Sequence, residues 1–344
     1  MLSRLVGNED VKMRLRSLAA TGRIPHSLIL SGDEGVGKKQ FALEIARSFV
    51  CAEPVDAEAC GVCPSCVRVE KFIYPKADDK EDHERVIFSE HPDVGMVVPY
   101  NRNILIKAIR HLESEANFRP YEAPARIFII DDADKMNGPS ANALLKTLEE
   151  PAPTTYILLV TSRPDSLLPT IRSRCQSLRF VPLTIEEIEN YLIRERAFTH
   201  DEARLAARLA RGSLGRAVSI DMVDIRRRRG AMMAITAAAL DGHGIAAAIG
   251  SAEGMIDAKD KAAFEENLDL LQSLIHDVWT INVSGDSSRV VNSDLQEDLT
   301  RFSAVAGRHD LPLWMSSIDE LRENLNININ KKLAIDALLV QMAA

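Results

Sequence analysis

No stretch of the sequence is apolar over the ~20 residues that a membrane span requires, and MLSRLVGNED at its start has no basic region followed by an apolar segment. These absences argue against a membrane-embedded or secreted protein and make a cytoplasmic one the expectation. Basic residues are in deficit: 42 Lys and Arg stand against 50 Asp and Glu, for a net charge of −8. A protein that binds DNA unaided needs a strong basic face to displace counterions, so any DNA contact should be shared with partners. Aromatic residues amount to only 5% and are not interleaved with basic ones, which disfavours a stacking surface for nucleic acid. Cysteine is also scarce, five in 344 residues, yet four of the five fall between positions 51 and 66. That clustering fits metal binding in a reducing compartment better than a disulfide framework.

What is present is the composition of a soluble globular protein, 46% hydrophobic and 27% charged, with a length that implies two or three domains. The first half alternates strand and helix patterns: HSLILSG, KKQFALEIARSFV, ARIFIIDD, SANALLKTLEE, TTYILLVT. This order predicts an α/β fold with a parallel sheet and helical crossovers over residues 1–181. At Pro182 the strand patterns stop. Thr184 with Glu187, and Thr199 with Glu202, have capping-box spacing, which predicts short helices in a small domain over 182–222. From 223 to 344 the chain is rich in Ala, Leu and Ile at heptad-like spacing and reads as an all-α bundle. The run Arg226 to Arg229 follows Asp221 and Asp224 and reads as a solvated or subunit-facing surface. YPKADDKEDHERV, with its acidic stretch at 76–85, reads as a surface insertion or mobile loop.

Gly32-Asp33-Glu34-Gly35-Val36-Gly37-Lys38-Lys39 lies between a predicted strand and a predicted helix, the context in which a phosphate-binding loop is recognised. Gly32, Gly35 and Gly37 allow backbone N–H groups to converge on phosphate, and Lys38 can reach the β- and γ-phosphates of ATP or ADP. The next position should carry a hydroxyl to ligate Mg²⁺, but it is Lys39. An ammonium has no lone pair for a metal, and unit charges of like sign ~4 Å apart cost on the order of 4 kcal/mol at an effective dielectric near 20. Nucleotide bound weakly, or without hydrolysis, is therefore one expectation, and an inherited turn with no ligand is the other. IFIIDDAD, residues 127–134, is an apolar strand delivering carboxylates at its C-terminal end, with Asp131 placed to hold Mg²⁺ through water.

Cys51, Cys60, Cys63 and Cys66 form C-x8-C-x2-C-x2-C. Four thiolates at such spacing predict a closed, structural Zn²⁺ site, with an iron–sulfur cluster, a redox role or no metal as the alternatives. Cys175 has no histidine nearby in sequence and reads as a small buried hydrophobe.

The segment 144–180, LLKTLEEPAPTTYILLVTSRPDSLLPTIRSRCQSLRF, reads as a helix ended by Pro151, a buried strand, and a short helix opened by Pro169. With GRIPHSLILSG, the cysteine module, HPDV, RIFIIDDADKMN and the late NLNININKKLAIDALL, it closely resembles the clamp-loader branch of the AAA+ ATPases. The likeness spans nearly the whole chain and points to the non-hydrolysing stator of the bacterial DNA polymerase III clamp loader. It implies a C-shaped, three-domain protein: an AAA+ P-loop domain with the zinc module inserted, a helical lid, and a C-terminal collar for oligomerisation. Implied partners are the motor (gamma/tau) and delta subunits, with the sliding clamp and primer-template DNA reached through the complex.

Residue by residue, the resemblance makes Arg174 of Ser173-Arg174-Cys175 an arginine finger acting in trans on ATP held by the next subunit. It places Thr161 or Ser162 at the position that reads the γ-phosphate, and Arg216 at the second sensor reaching from the lid. Strand-end capping and a surface ion pair are the plainer readings of those residues. Active motors carry a Glu after the Walker B Asp, where this chain has Asp132, one methylene shorter. Lys39 and Asp132 thus point to a subunit that is not the hydrolytic motor, although the better preserved Walker B keeps ATP binding open. Two rival functions remain: an ATP-hydrolysing motor subunit, and a zinc-dependent nucleic-acid-binding protein with an incidental P-loop.

Overall fold

The computed structural model describes residues 2–56, 58–240, 261–307, 310–324 and 331–342. It comprises two compact units, one of residues 1–197 with 210–218, the other of 198–209 with 219–344. The stretch 241–260 of the predicted bundle and the LNININ part of the late motif lie outside the described residues.

The first unit is built on six strands: β1 (Ser27–Ser31), β2 (Ile87–Phe88), β3 (Val94–Val97), β4 (Arg126–Ile130), β5 (Thr155–Thr161) and β6 (Gln176–Arg179). Their order is β2-β3-β4-β5-β1-β6, and every pairing is parallel except that of β2 with β3. The helices are α1 (Glu9–Ala20), α2 (Lys38–Val50), α3 (Pro64–Arg68), α4 (Ile106–Ala116), α5 (Gly138–Glu149), α6 (Pro169–Arg172), α7 (Ile185–Arg196) and α9 (Leu214–Ser219). The second unit holds α8 (His200–Leu209), α10 (Met222–Leu240) and the helices Lys261–Ser284, Gln296–Val305, Asp310–Asn324 and Lys331–Met342.

Alternation along buried strands divides the core into two faces. Leu28, Leu30, Ile127, Ile129, Leu158 and Val160 pack with Phe41, Ala42 and Ile45 of α2 and Val11 and Leu15 of α1. Ile29, Phe128, Ile130, Ile157 and Leu159 face the other way, onto Ile109 and Leu112 of α4 and Leu144 and Leu148 of α5. Both faces being covered explains why these strands are continuous apolar runs rather than half-polar ones. The parallel register then aligns the carboxyl ends of β1, β4 and β5, with Ser31 opposite Thr161. Loops leaving those ends meet on one edge, where α/β sheets bind ligands.

HPDV is explained by packing. Asp93 is fully buried, and its carboxylate accepts the N–H groups of Tyr121, Glu122 and Ala123 at 2.7–2.9 Å, fixing the turn that feeds β4. The charged stretch at 76–85 is anchored rather than bare: His83 is buried against Tyr100, and Glu84 pairs with Lys107 of α4.

Both Thr–Glu capping pairs form. Thr184 Oγ1 accepts the Glu187 N–H at 3.2 Å while Glu187 accepts the Thr184 N–H at 2.8 Å. Thr199 and Glu202 exchange the equivalent bonds at 3.3 and 3.2 Å. In the second unit Phe264, Leu268, Leu271, Ile275 and Val278 are all buried on one helix, a heptad-like seam that packs on Leu299, Leu311 and Ile318.

Candidate functional site

The loop 32–37 joins β1 to α2. Gly37 caps α2 at φ 97°, and Gly35 sits at φ 76°, where a side chain is strained. A Cβ on Gly35 would also lie 2.1 Å from Ser213 Oγ, because the start of α9 closes on the loop and Gly215 donates its N–H to the Gly35 carbonyl at 2.9 Å. Lys38 is buried and donates from Nζ to the carbonyls of Gly32 and Asp33, both at 2.6 Å. Burial lowers its pKa below the ordinary value, against the opposing pull of Asp132, Glu34, Asp33 and Asp131. Asp33 and Glu34 themselves are exposed.

Lys39 turns the other way. Its Nζ lies 2.9 Å from Asp131 Oδ2 and 4.9 Å from the ring centre of Tyr74. Burial alone would lower its pKa, but the charge and hydrogen bond of Asp131, with Tyr74, outweigh that and raise it. The carboxylate that the sequence offers to Mg²⁺ therefore already holds a cation, one that cannot itself serve as a ligand. The donor set at 39 and 131 does not fit a magnesium ion.

The neighbouring positions are committed within the protein as well. Asp132 adopts a left-handed backbone at φ 48° and accepts from Lys135 at 2.8 Å. Thr161 is fully buried and donates its hydroxyl to Asp134 at 2.7 Å, while the Ser162 N–H reaches the same Asp134 oxygen at 3.3 Å. Arg216 is exposed on α9, its N–H bonded to Ser213 Oγ, one residue beyond the Gly215 contact with the loop. Beside the loop a cleft of about 610 Å³ stays open, lined by Val6, Val36, Gly37, Phe41, Tyr191 and Leu214 among others.

Arg174 follows α6, in the segment that leads from the short helix to β6. Its guanidinium is about 35% exposed; it pairs with Glu149 at the end of α5 at 2.7 Å and donates to the Thr170 carbonyl at 2.9 Å. The partner Glu149 was not singled out in the sequence, although LEEP places it at a helix terminus. Tyr74 and Lys135 were missed for want of any motif. Cys175 is partly buried in the apolar core, and burial pushes its thiol up to about 12.

The four cysteines after α2 converge, with all four Sγ atoms within 4.8 Å of one another. Four sulfurs each ~2.3 Å from a central ion stand ~3.8 Å apart in a tetrahedron, and Cys60 and Cys66 are 4.0 Å apart. The N–H groups of Cys60, Cys63 and Cys66 point to the sulfurs of Cys51, Cys60 and Cys63 at 3.3–3.5 Å. Such bonds stabilise thiolate. Burial opposes ionisation of Cys63, but the N–H groups of Cys66 and Ala52 and the thiols of Cys66 and Cys60 bring its pKa down to about 6, while burial pushes Cys51 and Cys66 up. The cluster is thus able to hold a metal ion.

Sheet order, the glycine loop between β1 and α2, and the carboxylates at the end of β4 define an α/β protein with the layout of a P-loop fold. Residues 7–184, just over half of the chain, match the family model described as DNA polymerase III, delta subunit, and the chain belongs to that family. It is 29% identical over 321 residues to DNA polymerase III subunit delta' of Bacillus subtilis (strain 168), spanning 93% of this chain and 91% of that one. It is 30% identical over 221 residues to subunit tau of Escherichia coli (strain K12), where the match covers 63% of this chain and only 32% of tau. Among solved structures, a DNA polymerase III gamma subunit-related protein of Thermotoga maritima aligns over 96% of this chain and 98% of its own, with 19% identity and a TM-score of 0.41.

Proposed function

We propose that this chain is the delta-prime-type stator of a bacterial DNA polymerase III clamp loader, a cytoplasmic subunit that helps load the sliding clamp onto primed DNA without hydrolysing ATP itself. The observation that carries the reading is the Lys39–Asp131 pair, in which the carboxylate that would hold magnesium is taken up by an ammonium, in a chain similar to a delta' subunit along nearly its whole length. Asp132 tied to Lys135 and Thr161 tied to Asp134 weigh against the motor reading in the same direction. Its partners would be the motor (gamma/tau) and delta subunits, with clamp and DNA met through the assembly. In functional terms 1–181 would be the P-loop module, 182–222 the lid and 223–344 the collar. Cys51, Cys60, Cys63 and Cys66 would hold one Zn²⁺ in a closed shell that braces the module without catalytic duty.

Arg174 would act in trans. A guanidinium aimed at a neighbour's γ-phosphate stabilises charge in the transition state, an effect that reaches ~10³–10⁵ in rate for arginine fingers. Arg174→Ala should leave folding and assembly intact and depress the DNA- and clamp-stimulated ATPase of the reconstituted loader, in proportion to the one interface it serves. Wild-type ATPase from that loader, with a lowered melting temperature of the isolated variant, would assign Arg174 to the Glu149 pair alone.

A further inference from the structure

The open cleft that reaches the end of the loop at Val36 and Gly37, and the position at Asp131, differ in this chain. The cleft beside Val36 and Gly37 is open, Lys38 lies at the loop, and the acidic side chains of Asp33 and Glu34 face solvent. A phosphate entering the loop would replace the Gly32 and Asp33 carbonyls as acceptor for Lys38, at a loop on which Ser213 and Gly215 already pack. The metal position, by contrast, is filled by a side chain: the Lys39 ammonium rests on Asp131 beneath the Tyr74 ring.

We propose that Lys39 is a tethered cation standing in for the divalent metal, so that the loop takes a nucleoside polyphosphate in the absence of magnesium and gains nothing when magnesium is added. In an ordinary phosphate loop the metal bridges phosphate oxygens and, through a hydroxyl and an Asp, the protein. Here a cation is already held 2.9 Å from the Asp, on a flexible stem one residue beyond Lys38. Rotating that stem from Asp131 toward a phosphate exchanges one anionic partner for another. A doubly charged ion brought to the same carboxylate would have to displace the ammonium or sit beside it, and the chain supplies no hydroxyl at 39 to repay it. Metal-free binding also suits a site with no hydrolysis to perform, because the bridging metal is needed most where charge develops on transferring phosphate.

The inference rests on the loop and not on the stator reading, and its test uses the isolated full chain with N-methylanthraniloyl-ADP as probe. Fluorescence titration in excess magnesium and in EDTA should give dissociation constants within about threefold of each other. Lys39→Thr, which restores a hydroxyl and frees Asp131, should make binding at least about tenfold tighter with magnesium than without. Manganese substituted for magnesium should give a bound-ion paramagnetic resonance signal with ADP only in that variant. Lys39→Met keeps the volume, removes the charge, and should weaken binding in EDTA by about tenfold. Magnesium tightening wild-type binding tenfold, Lys39→Met binding as wild type in EDTA, or wild type binding no probe in either medium would each overturn the proposal. None of these outcomes would touch the Arg174 experiment.

Discussion

Glu149 holds Arg174 in the free subunit. Their contact at 2.7 Å is half-exposed on the acidic side, and such pairs are worth about 0–1 kcal/mol, so it orients the guanidinium more than it stabilises the chain. Glu149→Gln should therefore shift the melting temperature of the isolated subunit little while lowering the ATPase of the assembled loader, by less than Arg174→Ala does. A Glu149→Gln loader indistinguishable from wild type would remove the positioning role. Arg174→Lys should not restore activity, because an ammonium lacks the planar fork that grips two oxygens. Beside it, Cys175 makes a separate residue-scale prediction. With burial holding its thiol at about 12, about one molecule in 10⁴ is thiolate at pH 8, and the folded protein should resist alkylation there. Rapid labelling at pH 8, mapped to this position by peptide mass, would contradict the burial argument.

At the scale of elements, the cysteine module is the part whose stability depends on something besides packing. It joins α2 to a helix of only five residues, α3, whose N-cap is Cys63 itself. Purified protein should contain about one zinc per chain, and chelation or Cys63→Ser should loosen this segment, read as faster amide exchange over 51–71, while the helices of the second unit keep their protection. Elemental analysis finding no metal, or iron with sulfide, would refute the zinc assignment. The same scale shows what the sequence made legible. Strands β1, β4 and β5 stood out because both faces are buried, leaving near-continuous apolar runs, and α2 and α5 were bounded by Gly37 and Pro151. β6 escaped because QSLR is mostly polar: it is an edge strand recognised only through its pairing with β1. α4 carries Ala108, Ile109, Leu112 and Ala116 on its buried face, a helical spacing that was readable but lay beside a more conspicuous charged stretch. In the site, the substituted position Lys39 was visible, but its bond to Asp131 and its cover by Tyr74 were not, since all three come from different elements. The hydroxyl of Thr161 likewise gave no sign in sequence that Asp134 would claim it.

For the molecule as a whole, the question is whether an acidic chain can have a DNA surface of its own, and the arginine run at 226–229 is where that would show. Each member is answered within its own unit. Arg226 meets Glu202 at 3.1 Å, Arg227 meets Asp224 at 2.6 Å, Arg228 meets Glu266 at 2.7 Å, and buried Arg229 pairs with Asp294. Neutralised arginines release few counterions from DNA, and a net charge of −8 adds a repulsive background. The isolated chain should accordingly fail to retain primer-template DNA at physiological salt, and replacing both exposed members, Arg226→Ala with Arg227→Ala, should leave DNA binding by the assembled loader unchanged. What that double variant should lose is the tie from α10 to Glu202 of α8, a small destabilisation of the second unit seen in urea titration. If instead the isolated chain bound DNA with a steep salt dependence that those two substitutions flattened, the run would be a nucleic-acid surface, and the carboxylates around it would be partners it exchanges for phosphate.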